Sequence, residues 1–223
     1  MNDTTTRKLK FLAGFALYFG VLWFLWDTPV VYPLKIFVVL LHEMSHALMA
    51  VATGGSIDRI VLDPYQGGAC YCPGGSAFLT LSAGYLGSLA WGALMVEGSR
   101  ATRIRSDFVN GAIGGLVIAL TALFVRSTFG FVFGIAFGLA MIAMSRKLSV
   151  ALNRGVLLTL GMTSSLYAIL DIKSDVLDRP HLESDAFMLG EITGLPTQLW
   201  GIVWIIVALA VTALLFRRTY RKA

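Results

Sequence analysis

Charge is scarce in this sequence, and so are cysteine, histidine and proline. Only 14% of the 223 residues are charged, whereas 57% are hydrophobic. A soluble domain is usually about half apolar and about a quarter charged. With a mean hydropathy of +0.75, the chain lacks the ionic surface of a water-soluble fold, and the lipid bilayer is the solvent that suits it. The two cysteines, Cys70 and Cys72, are too few and too close in sequence for a disulfide framework and suggest reduced thiols or a secondary feature. The net charge of +5 sits in short clusters between apolar runs: Arg7, Lys8 and Lys10; Arg100, Arg103 and Arg105; Arg146 and Lys147; Arg217, Arg218, Arg221 and Lys222. Such clusters suit membrane edges. A nucleic-acid surface needs a continuous basic face with aromatic platforms, and none is present. Low-complexity tracts are absent as well.

What is there is a series of apolar segments, at roughly 10–26, 33–52, 76–96, 108–125, 128–144, 150–170 and 197–216. About twenty residues cross a bilayer core as a helix, and helices satisfy their own backbone in lipid. The expectation is an all-α, multi-pass integral membrane protein, a bundle of six or seven transmembrane helices forming a single domain over 1–223. The first segment ends in Trp-Asp-Thr-Pro with no small-residue cleavage site, so it reads as a retained span. Residues 54–75 differ: "IDRIVLD" alternates, "PYQGG" turns and "ACYC" follows, which predicts a β-hairpin. Residues 171–196 are polar and acidic and read as a loop or short surface helix. Gly130, Gly134 and Gly138 lie four apart, on one helix face, and predict close helix packing. Trp200 and Trp204, at one end of the last span, read as interface anchors.

The stretch "VVLLHEMSHALMAV" (38–51) puts two imidazoles and a carboxylate into an apolar helix. Ionisable groups there are costly and are kept mainly for function. His42 and His46 lie one turn apart on one face and can grip one zinc ion; Glu43, beside that face, can take a proton from water. A catalytic zinc needs a third protein ligand and an open position. Available are His181, which reads as an exposed loop residue, and the carboxylates Asp171, Asp175, Asp178, Glu183 and Asp185. Three spans separate the 33–52 and 150–170 helices, so both cross in the same direction. Asp171 can therefore approach the histidines at similar depth and is the first choice, with Asp175 as the alternative third ligand or a supporting partner.

Taken together, these residues resemble the site-2 protease family of intramembrane zinc metallopeptidases, in particular its compact members of unassigned substrate. The resemblance rests on "HEMSHALMAVATGG" (42–55), "IVLDPYQGGACYCPGG" (60–75), "SAFLTLSAGYLGS" (76–88), "LYAILDIKSDV" (166–176), "SDAF" (184–187) and "WGIVW" (200–204). It implies a helix bundle around a buried zinc held by His42, His46 and Asp171, with Glu43 activating water. Tyr85 stands where the family usually has proline, and "LDIKSD" lacks the usual glycine and asparagine-proline segment. The family also implies a substrate strand laid against the hairpin at 56–72; a purely structural hairpin is the alternative.

The function expected is zinc-dependent hydrolysis of peptide bonds in membrane-spanning protein substrates. The alternatives are a non-catalytic protein of the same fold that binds a client segment or zinc, and an ion or metal transporter. Orientation is ambiguous. A cytoplasmic N-terminus with seven spans puts the hairpin and acidic loop in the cytoplasm, as the resemblance also implies, and a cytoplasmic site is the expectation; but this leaves Arg100, Arg103, Arg105 and the basic C-terminus outside. Either one apolar segment fails to span or the charge bias is weak.

Overall fold

The computed structural model describes residues 3–26, 28–179 and 181–222. Its helices are α1 (Asp3–Phe24), α2 (Tyr32–Ala52), α3 (Ala77–Arg100), α4 (Ser106–Phe124), α5 (Thr128–Lys147), α6 (Val150–Ile172), α7 (Asp185–Thr193) and α8 (Thr197–Lys222). Strands β1 (Arg59–Leu62) and β2 (Gly68–Tyr71) follow α2, and a π-helical turn, Lys173–Asp178, extends α6. Among the described residues six helices are long and apolar enough to cross a membrane: α2, α3, α4, α5, α6 with its extension, and α8. Helix α1, which holds most of the first apolar segment, is not among them.

Helix α2 is the hub. Of its apolar window 72% is buried, against 22% for α5 and for α8, whose sides therefore face outward. Pro33 opens α2, where its missing N–H costs nothing. Gly54, at φ +92°, turns the chain out of it. Phe37, Leu40, Leu41 and Met44 are fully buried in the main apolar cluster. Lipid is as apolar as these side chains, so dispersion and close packing hold such a bundle together rather than escape from water. The glycine stripe of α5 serves that end. A Cβ on Gly138 would meet the Gly114 carbonyl oxygen of α4 at 2.8 Å, and one on Gly130 would meet Leu62 of β1 at 2.9 Å. Polar side chains add directed bonds: Asn110 donates to Asn153 at 2.8 Å between α4 and α6, and Ser164 of α6 donates to the Ser88 carbonyl of α3 at 2.8 Å.

The hairpin forms where the alternating segment predicts it. Arg59 pairs with Tyr71 and Leu62 with Gly68, antiparallel, and the buried residues Ile60 and Leu62 alternate along β1. Its outer edge is not free, because the turn between α4 and α5 docks there. Val125 bridges Ile60, Arg126 N–H donates to the Ile60 carbonyl at 2.9 Å, and Leu62 N–H donates to the Ser127 hydroxyl at 2.9 Å. Among the described residues no strand pairs with the other edge of β2, where the Cys70 N–H bonds to Glu43.

Two sequence expectations need correction. Cys70 and Cys72 are joined in a disulfide. Residues two apart on an extended chain share a face, and their Cα separation of 5.6 Å lies within the disulfide range. Trp204 is no interface anchor. It is buried against Tyr85, with ring centroids 5.1 Å apart, because α7 and α8 fold back onto α3. Trp200 stands edge-on to Phe78 and donates to Thr193 at 3.2 Å.

Candidate metal centre

Three side chains converge in the interior: His42 and His46 of α2 and Asp185 of α7, with ligand atoms all within 4.8 Å of one another. The α-helical repeat puts both imidazoles on one face, with ring centroids 4.8 Å apart. Asp185 Oδ2 lies 3.0 Å from His42 Nε2 and 3.2 Å from His46 Nε2. A tetrahedral zinc with ligands at about 2.0–2.1 Å would hold them about 3.3–3.4 Å apart, close to this spacing. The donor set, two imidazoles and one carboxylate, is that of catalytic zinc with a position left open.

The surroundings fit a metal equally well. His46 Nδ1 lies 2.6 Å from the Thr80 carbonyl oxygen. A carbonyl only accepts, so Nδ1 carries the proton and Nε2 presents a lone pair to the metal position. Gly84 of α3 forms the floor: a Cβ there would collide with Nε2 of both histidines and with Asp185 Oδ2. Burial favours the neutral acid, but the His46 and His42 imidazoles outweigh it and hold the Asp185 carboxyl well below the usual carboxylate range. A carboxylate must be ionised to act as a metal ligand.

Helix α7 is what delivers Asp185. Ser184 caps it, its hydroxyl accepting from Phe187 N–H, so Asp185 opens the first turn, where a helix favours negative charge. Ala186 and Leu189 pack into a cluster with Tyr85, Ile172, Val176 and Trp204. Gly194, in the left-handed conformation at φ +70°, ends the helix.

Glu43 lies under β2. It is buried, a Cβ on Gly68 would meet its Oε1 at 2.6 Å, and the Cys70 backbone N–H bonds to its carboxylate. A cavity of about 850 Å³ connects the two histidines, Glu43, Asp185 and β2.

Asp171 and Asp175 line that cavity too, but the convergent group contains neither. Asp175 is engaged elsewhere, accepting from Arg179 at 2.5 Å and from the Tyr85 hydroxyl at 3.3 Å. His181 is exposed. Sequence reasoning included Asp185 among the carboxylates without preferring it; the signal for it is the Ser-Asp pair opening an apolar run, a helix-start pattern. The roles of Gly84 and of the Thr80 carbonyl had no such signal.

A family model described as peptidase M50B-like matches residues 15–215. Among curated proteins and among solved structures, nothing matches.

Proposed function

The chain belongs to the peptidase M50B-like family, and from that premise we propose how this multi-pass intramembrane zinc metallopeptidase cuts its substrate. His42, His46 and Asp185 hold the ion, and Glu43 is the general base. The observation that carries the reading is the convergence of two imidazoles and one carboxylate on a buried point, with a second carboxylate beside it. Zinc, when bound, supplies Lewis-acid polarisation and makes water acidic near neutral pH. Glu43 takes the proton of the attacking water and delivers it to the leaving amine. Thr80 fixes the His46 ring, and Gly84 keeps the space between the ligands open.

The substrate is a membrane-embedded protein segment. A helical segment hides its peptide bonds, so it must be drawn out before hydrolysis. Strand β2 offers a template: one edge is paired to β1, and the strand lines the cavity beside Glu43. A substrate strand added there satisfies its backbone while its scissile bond passes Glu43.

The test is Glu43→Gln in detergent-purified protein. We expect about one zinc per chain to remain, with hydrolysis of a membrane-segment substrate falling about 10²–10⁴-fold, the usual share of a general base. Undiminished turnover in this variant would remove Glu43 from the mechanism. A well-folded wild type that takes up no added zinc would favour the non-catalytic alternative.

A further inference from the structure

The basic clusters, scattered along the sequence, come together in space at the end of the bundle away from the cleft. Arg100, at the end of α3, donates to the Thr219 hydroxyl and the Arg218 carbonyl of α8, both at 2.9 Å. Lys8 of α1 lies over the Tyr220 ring at 5.3 Å. Ser106, beside Arg105, donates to the Ser99 carbonyl at 3.4 Å. Asn153 ties in the remaining cluster, donating to the Met144 and Leu148 carbonyls on either side of Arg146 and Lys147, while it accepts from Asn110. Only the side chains of Arg7 and Lys222 lie outside the described residues. Along α6, Asn153 and Asp171 are eighteen residues apart, so roughly 27 Å of helix separates this basic end from the cleft.

Seven alternating spans would have divided these clusters between two sides. They are not divided because α1 and α2 run the same way. Tyr18 of α1 bonds to Thr163 of α6 at 2.6 Å, and Trp26, just past α1, lies tilted against Tyr167 with ring centroids 5.8 Å apart, so α1 climbs beside α6 in the direction of α6. Helix α2 runs antiparallel to α3, with Ser45 meeting Trp91 and His46 meeting Thr80. So does α6, with Gly161 against Val96 and Ser164 against Ser88. Hence α1 and α2 together cross once. At the cleft end the basic side chains are spoken for: Arg59 pairs with Asp58, Lys173 with Asp178 and Arg179 with Asp175, and Arg126 bonds to the carbonyls of Leu123 and Val125.

We propose that the four basic clusters form one cytoplasmic collar, and that the cleft holding His42, His46 and Asp185 opens on the opposite, extracytoplasmic side of the membrane. Lysine and arginine near span ends are retained on the cytoplasmic side, where anionic headgroups attract them. The inference relies on the peptidase reading only in naming what the cleft does. Given that reading, the substrates are segments whose cut lies in the extracytoplasmic half of the bilayer.

The test is labelling of the full chain in intact bacterial cells with a membrane-impermeant maleimide, in a Cys70→Ser, Cys72→Ser background. His181→Cys, at the cleft end, is expected to label at once. Thr102→Cys, between α3 and α4, is expected to label only after permeabilisation, at least tenfold less before it. The reverse pattern, or equal labelling of the two, overturns the proposal. Should the serine background fold poorly, green fluorescent protein fused after Ala223 of the native chain reports the same thing: fluorescence is expected, and a dark, full-length, membrane-inserted fusion overturns it. Neither readout depends on zinc or hydrolysis, so the orientation and the peptidase mechanism can fail separately.

Discussion

The two halves of the metal group are held in place by different physics. His42 and His46 stand on one long helix, most of it buried, and the α-helical repeat alone sets their spacing. Asp185 stands on a helix of nine residues, too short to be stable by itself. Tertiary packing on Tyr85, Ile172, Val176 and Trp204 puts it where it is. The first half is therefore a rigid fixture, and the second is a docked arm. Damage to the fixture should abolish the site, whereas damage to the dock should weaken it by degrees that extra zinc can reverse.

The largest effects should come from the ligands themselves. His46→Ala and Asp185→Ala are each expected to lower zinc affinity at least a hundredfold, beyond the ten- to hundredfold typical of supporting residues. Asp171→Ala is expected to retain about one zinc per chain. Elemental analysis of the purified variants decides: retention in Asp185→Ala together with loss in Asp171→Ala would move the third ligand to α6 and erase the docked arm from the comparison.

Next comes Gly84, where fixture and arm meet. In Gly84→Ala the new methyl enters the space shared by both histidines and Asp185. Bound zinc should fall well below half occupancy while the bundle stays folded. Gly115→Ala is the control, because nothing lies within 4 Å of a Cβ there. It should keep full zinc and gain up to about 0.5–1 kcal/mol of helix stability. Equal zinc content in the two variants, measured alongside thermal unfolding in detergent, would show that Gly84 leaves no needed space.

The same contrast explains what the sequence could disclose. The α2 motif, the hairpin and the glycine stripe of α5 are local patterns with periods of 3.6, 2 and 4 residues, so they are legible without coordinates. The third member of the convergent group is not. Between Asp171 and Asp185 lie a π-helical turn and an irregular segment, which carry no period. What leaves room for Asp185 is the absence of a side chain at Gly84, a hundred residues away. Helix direction placed Asp171 at the proper depth, and it does line the cavity, but depth alone does not choose among carboxylates. Trp204 was misplaced for a similar reason: an aromatic residue near a span end suits an interface, and only the return of α7 and α8 onto α3 buries it.

A smaller, reversible loss should follow from loosening the dock. Leu189 is fully buried in the cluster beneath α7, and Leu189→Ala should cost about 2–5 kcal/mol of packing. Zinc should be depleted at limiting supply and restored by excess metal, unlike in His46→Ala. A titration in which Leu189→Ala binds like wild type would mean that Asp185 is held by the histidines rather than by its helix.

The subtlest probe acts at the far end of the same arm. Trp200 of α8 donates through Nε1 to the hydroxyl of Thr193, the last residue of α7, and stands edge-on to Phe78 at 5.5 Å. Trp200→Phe keeps an aromatic ring against Phe78 and removes only the donor. One hydrogen bond contributes about 1 kcal/mol net, so zinc affinity should weaken about fivefold, with no change in secondary structure. Thr193→Val removes the same bond and also the one that its hydroxyl donates to the Leu189 carbonyl, so the double variant should lose less than the sum of the two single losses. If Trp200→Phe leaves zinc affinity untouched while Leu189→Ala lowers it, the arm is pinned at its apolar middle and its far end is idle. If both lower it, α7 moves as one rigid piece, and the position of Asp185 is set along its whole length.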